Sequence, residues 1–248
     1  MMLVITSTVS VWKSFFCVVV AKEQNLTQLV DHNFNHFHFW KMFRQITLFV
    51  LALVAGVAVG KFNPDTVKEL DVAKYLGLWY QMAADQIVYS TFEKDAYCAT
   101  AFYGANGDGT ISVHNYATIG APNGTTYVID GYAYQTDAAA HPGQLKVKFD
   151  SDQAAPFPAP YWVLELGPIN ANNQYDWAIV SDNLSSFLFV LARDVPTFNS
   201  QYKASIMAEL TKLGFTGRTA PIDTYHQADC VYESTQRLAQ IKKFESAN

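Results

Sequence analysis

Between Trp79 and Ala192 the chain falls into eight short stretches of strand-like composition, each separated from the next by Gly, Pro, Asn or Asp. Only after them does the apolar period change from two to about 3.6. That pattern predicts an all-β sandwich or barrel followed by one helix. The strands are expected at Trp79 to Ala84, Ala96 to Gly104, Thr110 to Thr118, Thr126 to Thr136, Leu145 to Asp150, Tyr161 to Leu166, Asp176 to Ser181 and Phe187 to Ala192. Asn106-Gly107-Asp108-Gly109 supplies the turn of one hairpin, with glycines for positive φ. Tyr202, Ile206, Leu210 and Leu213 share one helical face from about Asn199, and Gly214 sits where a C-cap glycine belongs.

The opening sixty residues read differently. Met42-Phe43-Arg44-Gln45, then an uncharged Ile46 to Gly60 rich in Leu, Val and Ala, has the basic start and apolar middle of a secretory signal, with cleavage expected near Gly60. Fifteen apolar residues are few for a bilayer span. Residues 1–41 read best as an upstream extension ahead of the true start at Met42. The competing readings are a leader or an uncleaved membrane anchor. His36 and His38 alternate there as ligands on a strand would, yet apart from Asp31 no Cys, Asp or Glu completes a metal site, and none is assigned. The expected organisation is therefore 1–41 extension, 42–60 signal, 61–235 barrel domain and 236–248 polar tail.

About 188 mature residues suffice for one domain with its own core. A net charge of −5 with only 16% charged residues gives no basic footprint for nucleic acid and no disordered acidic tail. Cys17 leaves with the leader, and Cys98 and Cys230 remain as a pair in a chain expected to enter an oxidising compartment, which predicts a disulfide. The alternative, a nucleophilic Cys98, lacks a basic neighbour within Ala96-Tyr97-Cys98-Ala99-Thr100 to lower its pKa.

Alternation assigns the faces. In Leu145-Lys146-Val147-Lys148-Phe149 the lysines face water, so Leu145, Val147 and Phe149 point inward. The same reasoning around Glu165 puts Trp162, Leu164 and Leu166 inside, and around Asp130 it puts Ile129, Gly131 and Ala133 inside. Ile111 and Val113 take Asn115 with them, and Ala99, Ala101 and Tyr103 are chosen on weaker alternation. Small inward residues beside large ones suit a barrel with room for a ligand, although a solid core fits the pattern equally well.

Several segments in order resemble the lipocalin family, in its apolipoprotein D and bacterial lipocalin branch. They are Tyr75-Leu76-Gly77-Leu78-Trp79-Tyr80, Cys98-Ala99-Thr100-Ala101-Phe102-Tyr103, Gly131-Tyr132-Ala133-Tyr134, Leu145-Lys146-Val147-Lys148-Phe149, Tyr161-Trp162-Val163-Leu164, Tyr175-Asp176-Trp177-Ala178-Ile179-Val180 and Leu191-Ala192-Arg193. The likeness covers about Val67 to Cys230. It implies an eight-stranded antiparallel up-and-down barrel, closed at one end, with a C-terminal α-helix packed outside. It further implies that Gly77, Trp79 and Arg193 form a structural motif, with Arg193 across the Trp79 ring, and it supports the Cys98–Cys230 bridge. Tyr103, Asn115, Phe149, Trp162 and Leu164 are implied for a ligand pocket, joined by the inward Ala101, Val113, Ile129 and Val147.

The function so implied is extracellular binding and transport of a small hydrophobic ligand such as a fatty acid, sterol or isoprenoid pigment, without catalysis or cofactor. Stable membrane insertion of the mature chain is not expected, while transient contact of the barrel mouth with a membrane or receptor is compatible with it. The alternatives are a lipid isomerase or de-epoxidase, and a protein-binding module acting through the rim. Asp85, Glu93, Asp95 and Asp182, the acidic groups that chemistry would need, lie near strand ends where solvated loop charges are ordinary. Asn123-Gly124-Thr125 and Asn183-Leu184-Ser185 match the glycosylation acceptor pattern.

Overall fold

A computed structural model describes residues 63–151 and 155–234. The extension at 1–41, the signal at 42–60 and the tail at 236–248 lie outside the described residues. The elements are α1 (Val72–Tyr75), β1 (Gly77–Asp85), α2 (Gln86–Ser90), β2 (Ala96–Ala105), β3 (Ile111–Ile119), β4 (Thr125–Gln135), β5 (Gln144–Phe149), β6 (Ala159–Leu166), β7 (Trp177–Ser181), β8 (Leu188–Ala192), α3 (Val195–Thr197), a wide turn (Phe198–Tyr202), α4 (Lys203–Lys212) and β9 (Pro221–Asp223). All eight expected strands form. The short helices α1 and α2 and the strand β9 are additions.

Each strand from β1 to β8 pairs antiparallel with the next, and β1 pairs with both β2 and β8, so the sheet closes. The first strand does this by dividing its length. Gly77 to Tyr80 pair with Tyr103 to Thr100 of β2. Tyr80 to Ala84 pair with β8 across a bulge at Gln81 to Ala83. Ala83 to Asp85 then take β9 where β2 has diverged. Closure leaves no free edge on the barrel, which removes a route to aggregation.

Two clusters of buried side chains separate the faces. One lies inside the barrel: Tyr75, Trp79, Ala101, Tyr103, Ile111, Val113, Ala133, Leu145, Val147, Val163, Ala178, Val180 and Leu191. The other lies between the barrel wall and α4, where Ile206, Leu210 and Phe198 cover Met82, Leu164, Ile179, Leu188 and Val190. The expected helical face is therefore the one that packs, and Gly214 at φ +92° follows its end.

On β3, β4 and β5 the expected alternation holds, because these long ladders run without a break: Asn115 opposes Ile129, Val113 opposes Gly131, and Gly131 opposes Phe149. On β6 it does not. The pairing with β7 slips between Val163 and Glu165, so Leu164 is an extra residue on the bulged strand. Glu165 points outward and Leu166 packs on the interior, as expected, but upstream of the bulge the parity reverses. Trp162 and Leu164 therefore belong to the cluster beneath α4, and Tyr161 and Val163 are the inward pair. The inward placement of Trp162 and Leu164 is corrected accordingly.

Gly131 also has a different reason for being small. A Cβ there would lie 2.2 Å from the Lys148 carbonyl oxygen and 2.8 Å from the Phe149 Cα. The space is taken by the backbone of β5, so the glycine permits close approach of two strands rather than widening the interior.

Candidate functional site

The barrel has a sealed floor. Trp79 is fully buried, and its indole Nε1 donates to the Tyr75 carbonyl at 2.8 Å. The Arg193 guanidinium lies 3.4 Å from the centre of that ring. Its Nη1 donates to the Leu78 carbonyl at 2.6 Å, Nη2 to those of Lys74, Tyr75 and Leu76 at 3.0–3.1 Å, and Nε to that of Tyr175 at 3.1 Å. A planar fork is needed to reach several carbonyls in one turn of chain, which suits arginine and not lysine. Burial pulls the guanidinium pKa down to about 10, opposed by the neighbouring tyrosines and Asp176. Gly77 completes the motif: at φ +97° a side chain is strained, and a Cβ would meet Gln174 Nε2 at 2.9 Å. Gly77, Trp79 and Arg193 thus come together at the floor.

Above the floor stand three tyrosines. Tyr161 Oη lies 2.7 Å from Tyr75 Oη and 3.2 Å from Tyr103 Oη, and Tyr75 and Tyr103 stack with centroids 5.8 Å apart. Burial raises all three phenols, Tyr103 to about 12, so they stay neutral and bond to one another. Tyr103 was implied for a ligand pocket. The structure places it in this floor network with Tyr161, a residue the reversed parity of β6 had hidden.

Towards the other end the interior opens. β1 starts at the floor, so the connections after β1, β3, β5 and β7 fall at the opposite end. Accessibility rises in that direction along the inward faces of β4 and β5. Ala101, Val113 and Val147 are buried, whereas Asn115, Ile129 and Phe149 keep accessible surface, and Tyr127, on the same face as Ile129, is 43% exposed. Inward side chains that remain accessible line unfilled space. The inward Asn115 Oδ1 is buried without a hydrogen-bond partner, an exception among buried polar atoms.

Two inward polar groups escaped sequence reasoning. Gln81 faces the interior beside Leu191, and its Nε2 donates to Glu93 Oε2 at 2.6 Å. Glu93 sits in the α2–β2 connection, where Phe92 leans on Phe187 and Phe189 with centroids 5.5 and 6.2 Å away. Sequence position made Glu93 a solvated loop charge. Instead, burial first, with Asp85 adding repulsion and Gln81 opposing, raises its pKa to about 7. Asp85 and Asp182 are also buried rather than solvated. Asp85 Oδ1 caps α2 by accepting from the Val88 amide at 2.9 Å, and Asp182 Oδ1 accepts from the Ser186 amide at 2.6 Å. Asp95 alone of the four is exposed.

Glu93 sets a pH dependence. Its carboxyl is neutral in folded and unfolded chains below about pH 4.5; between there and about 7 the unfolded chain ionises first, so stability falls as pH rises and levels off above. Glu93→Gln is expected to remove that slope and raise stability near neutral pH by on the order of 2 kcal/mol. Urea midpoints at acidic and neutral pH test it; equal slopes in the two proteins would refute it.

Cys98 and Cys230 form the disulfide, with Cα atoms 5.6 Å apart. Nearby, His114 on the outer face of β3 bonds Asp130 through Nδ1 at 2.5 Å and Glu233 through Nε2 at 2.9 Å, fastening the chain beyond the bridge. Of the two glycosylation triplets, Asn123 and Thr125 are exposed, whereas Asn183 is half-buried and Ser185 buried. Among the described residues no cluster of His, Cys, Asp and Glu could hold a metal ion, and no helix is long and apolar enough to cross a membrane.

A closed eight-stranded barrel with its tryptophan and arginine at the floor matches a family model, the lipocalin-like domain, over residues 70–222. The chain belongs to the lipocalin family. This lipocalin is 33% identical over 147 residues to temperature-induced lipocalin-1 of Arabidopsis thaliana, covering 58% of this chain and 73% of that one. It is 30% identical to the outer membrane lipoprotein Blc of Escherichia coli K12 over 178 residues, covering 69% of this chain and 92% of Blc. With apolipoprotein D of Rattus norvegicus it shares 35% over 102 residues, covering 41% of this lipocalin and 49% of that protein, so the match spans about half of that relative.

Proposed function

We propose that this lipocalin binds and carries a small hydrophobic molecule in the open half of its barrel, outside the cell. The observation that carries the reading is the unfilled inward face: Asn115, Ile129 and Phe149 remain accessible above a floor where Trp79 and Leu145 are sealed. Ala101, Val113 and Val147 form the lower wall. A ligand seated there gains roughly 25 cal/mol for each Å² of apolar surface withdrawn from water, less the cost of orienting it. Asn115 Oδ1, lacking a partner, supplies a polar contact that fixes orientation.

The mature chain is proposed to start near Lys61, after a cleaved signal, and Asn123 is the better placed of the two glycan acceptors. Thiol-based lipid chemistry is disfavoured, because the Cys98 sulfur is joined to Cys230.

Purified protein is expected to enhance the emission of an apolar fluorophore with a submicromolar to micromolar Kd, and Asn115→Trp, which fills the interior, to weaken binding at least about tenfold. A folded protein that neither enhances emission nor loses binding on that substitution would refute the reading.

A further inference from the structure

The interior polar groups are not neutral in character. In the described part of the barrel, the strand lysines Lys146 and Lys148 lie on the outward face of β5, and the Arg193 guanidinium is committed to backbone carbonyls at the floor. The tyrosine hydroxyls bond to one another. Facing the open half are two acceptors, the unpartnered Oδ1 of Asn115 and the carboxyl of Glu93, beside the Tyr127 hydroxyl, and the carboxyl is the group among them that can carry charge near neutral pH. Gln81 engages only Oε2 of that carboxyl, and the described residues offer Oε1 no donor.

Glu93 is built into the site rather than hung beside it. Gln81 comes from β1 with its side chain on the same face as Leu191, so the amide that holds Glu93 is itself an interior group. Phe92, the preceding residue, closes against Phe187 and Phe189 at the barrel mouth. A carboxylate held at an apolar, aromatic mouth attracts a cation, whose charge it neutralises there. An alcohol or ketone gains little there, and a fatty carboxylate is repelled while being desolvated.

We propose that the barrel prefers hydrophobic ligands bearing a protonated amine, whose ammonium seats against Glu93 at the mouth end while its tail lies along the lower wall. This deepens the carrier reading and rests on it. The groups facing Glu93 are Gln81 and Asp85 from β1 and Tyr89 from α2; only Asp85 adds charge, and it has the same sign as Glu93. The amine therefore brings the one positive charge to the cluster, and its binding strengthens as Glu93 ionises.

The experiment uses the full chain and three probes with one tail: dodecylamine, dodecanol and dodecanoate, each competing against an apolar fluorophore. At about pH 8 the amine is expected to bind at least about tenfold more tightly than the carboxylate and several-fold more tightly than the alcohol. That advantage is expected to shrink as pH falls towards about 5.5. Glu93→Gln is expected to bring the amine to the level of the alcohol, with the circular dichroism spectrum of the fold retained. Equal or tighter binding of dodecanoate overturns the proposal but leaves the carrier reading intact, as does an amine preference untouched by E93Q. Failure of all three probes and of the fluorophore overturns both.

Discussion

Arg193→Met is expected to cost this barrel about 4–5 kcal/mol, among the largest losses available to a single substitution in it. Five backbone carbonyls, those of Lys74, Tyr75, Leu76, Leu78 and Tyr175, accept from its guanidinium. Removing it deprives the Leu78 and Tyr175 carbonyls of their side-chain donor, at about 1–3 kcal/mol for a fully buried group, moderated where water reaches, while the carbonyls of Lys74, Tyr75 and Leu76 keep the Tyr175 amide, the Trp79 indole and the Gln174 side-chain amide. The indole face of Trp79 loses a cation worth roughly 0.5–2 kcal/mol more. Arg193→Lys keeps the charge and loses the fork, so it is expected to recover less than half of the deficit. Urea denaturation of the three proteins, followed by Trp fluorescence, decides the matter. A loss below about 1 kcal/mol for the Met variant, or full rescue by lysine, would show that the floor does not depend on this geometry.

Breaking the bridge has the second largest expected effect. Cys98 and Cys230 are separated by 132 residues, and a loop of that length corresponds on the chain-entropy argument to about 4–5 kcal/mol. Part of the tether survives without the sulfurs, since Tyr116 Oη donates to the Val231 carbonyl at 3.1 Å and His114 bonds Glu233 at 2.9 Å. The double variant Cys98→Ser, Cys230→Ser is therefore expected to lose about 3–4 kcal/mol while keeping its barrel. Its urea midpoint should become insensitive to reductant, whereas that of the natural chain falls to meet it. An unshifted midpoint in the double variant would refute the account.

The sequence made most of the wall legible for a physical reason. Where a strand alternates charge with aliphatic side chains, as Leu145 to Phe149 does, only one face can meet water, and the unbroken β3–β4–β5 ladders carry that assignment across three strands. The tryptophan and arginine at the floor were implied by the likeness to the lipocalin family, whereas the cysteine pair and the helix face were readable from type and order. Trp162 and Leu164 were misplaced because a bulge adds a residue without leaving a mark in composition; large apolar side chains suit the underside of α4 as well as the interior. A parity conflict within Trp162 to Leu166, where Tyr161 and Val163 are equally apolar, was the available signal. Glu93 was hidden more deeply. Nothing in a loop glutamate announces that an inward glutamine twelve residues earlier will hold it; the path of the β1–β2 connection brings the two together.

The first strand is shared among three partners, and its contact with β8 waits for a chain segment made much later: Arg193 reaches back 115 residues to the Leu78 carbonyl. During synthesis and refolding, β1 and β8 each present an unmatched hydrogen-bonding rim until the cylinder is complete. The order of events is thus imposed by topology, with hairpins first and the seam last, which favours slow maturation and exposes the half-built sheet to other chains. The closed cylinder is thus reached through a stage at which its two seam strands are unpaired.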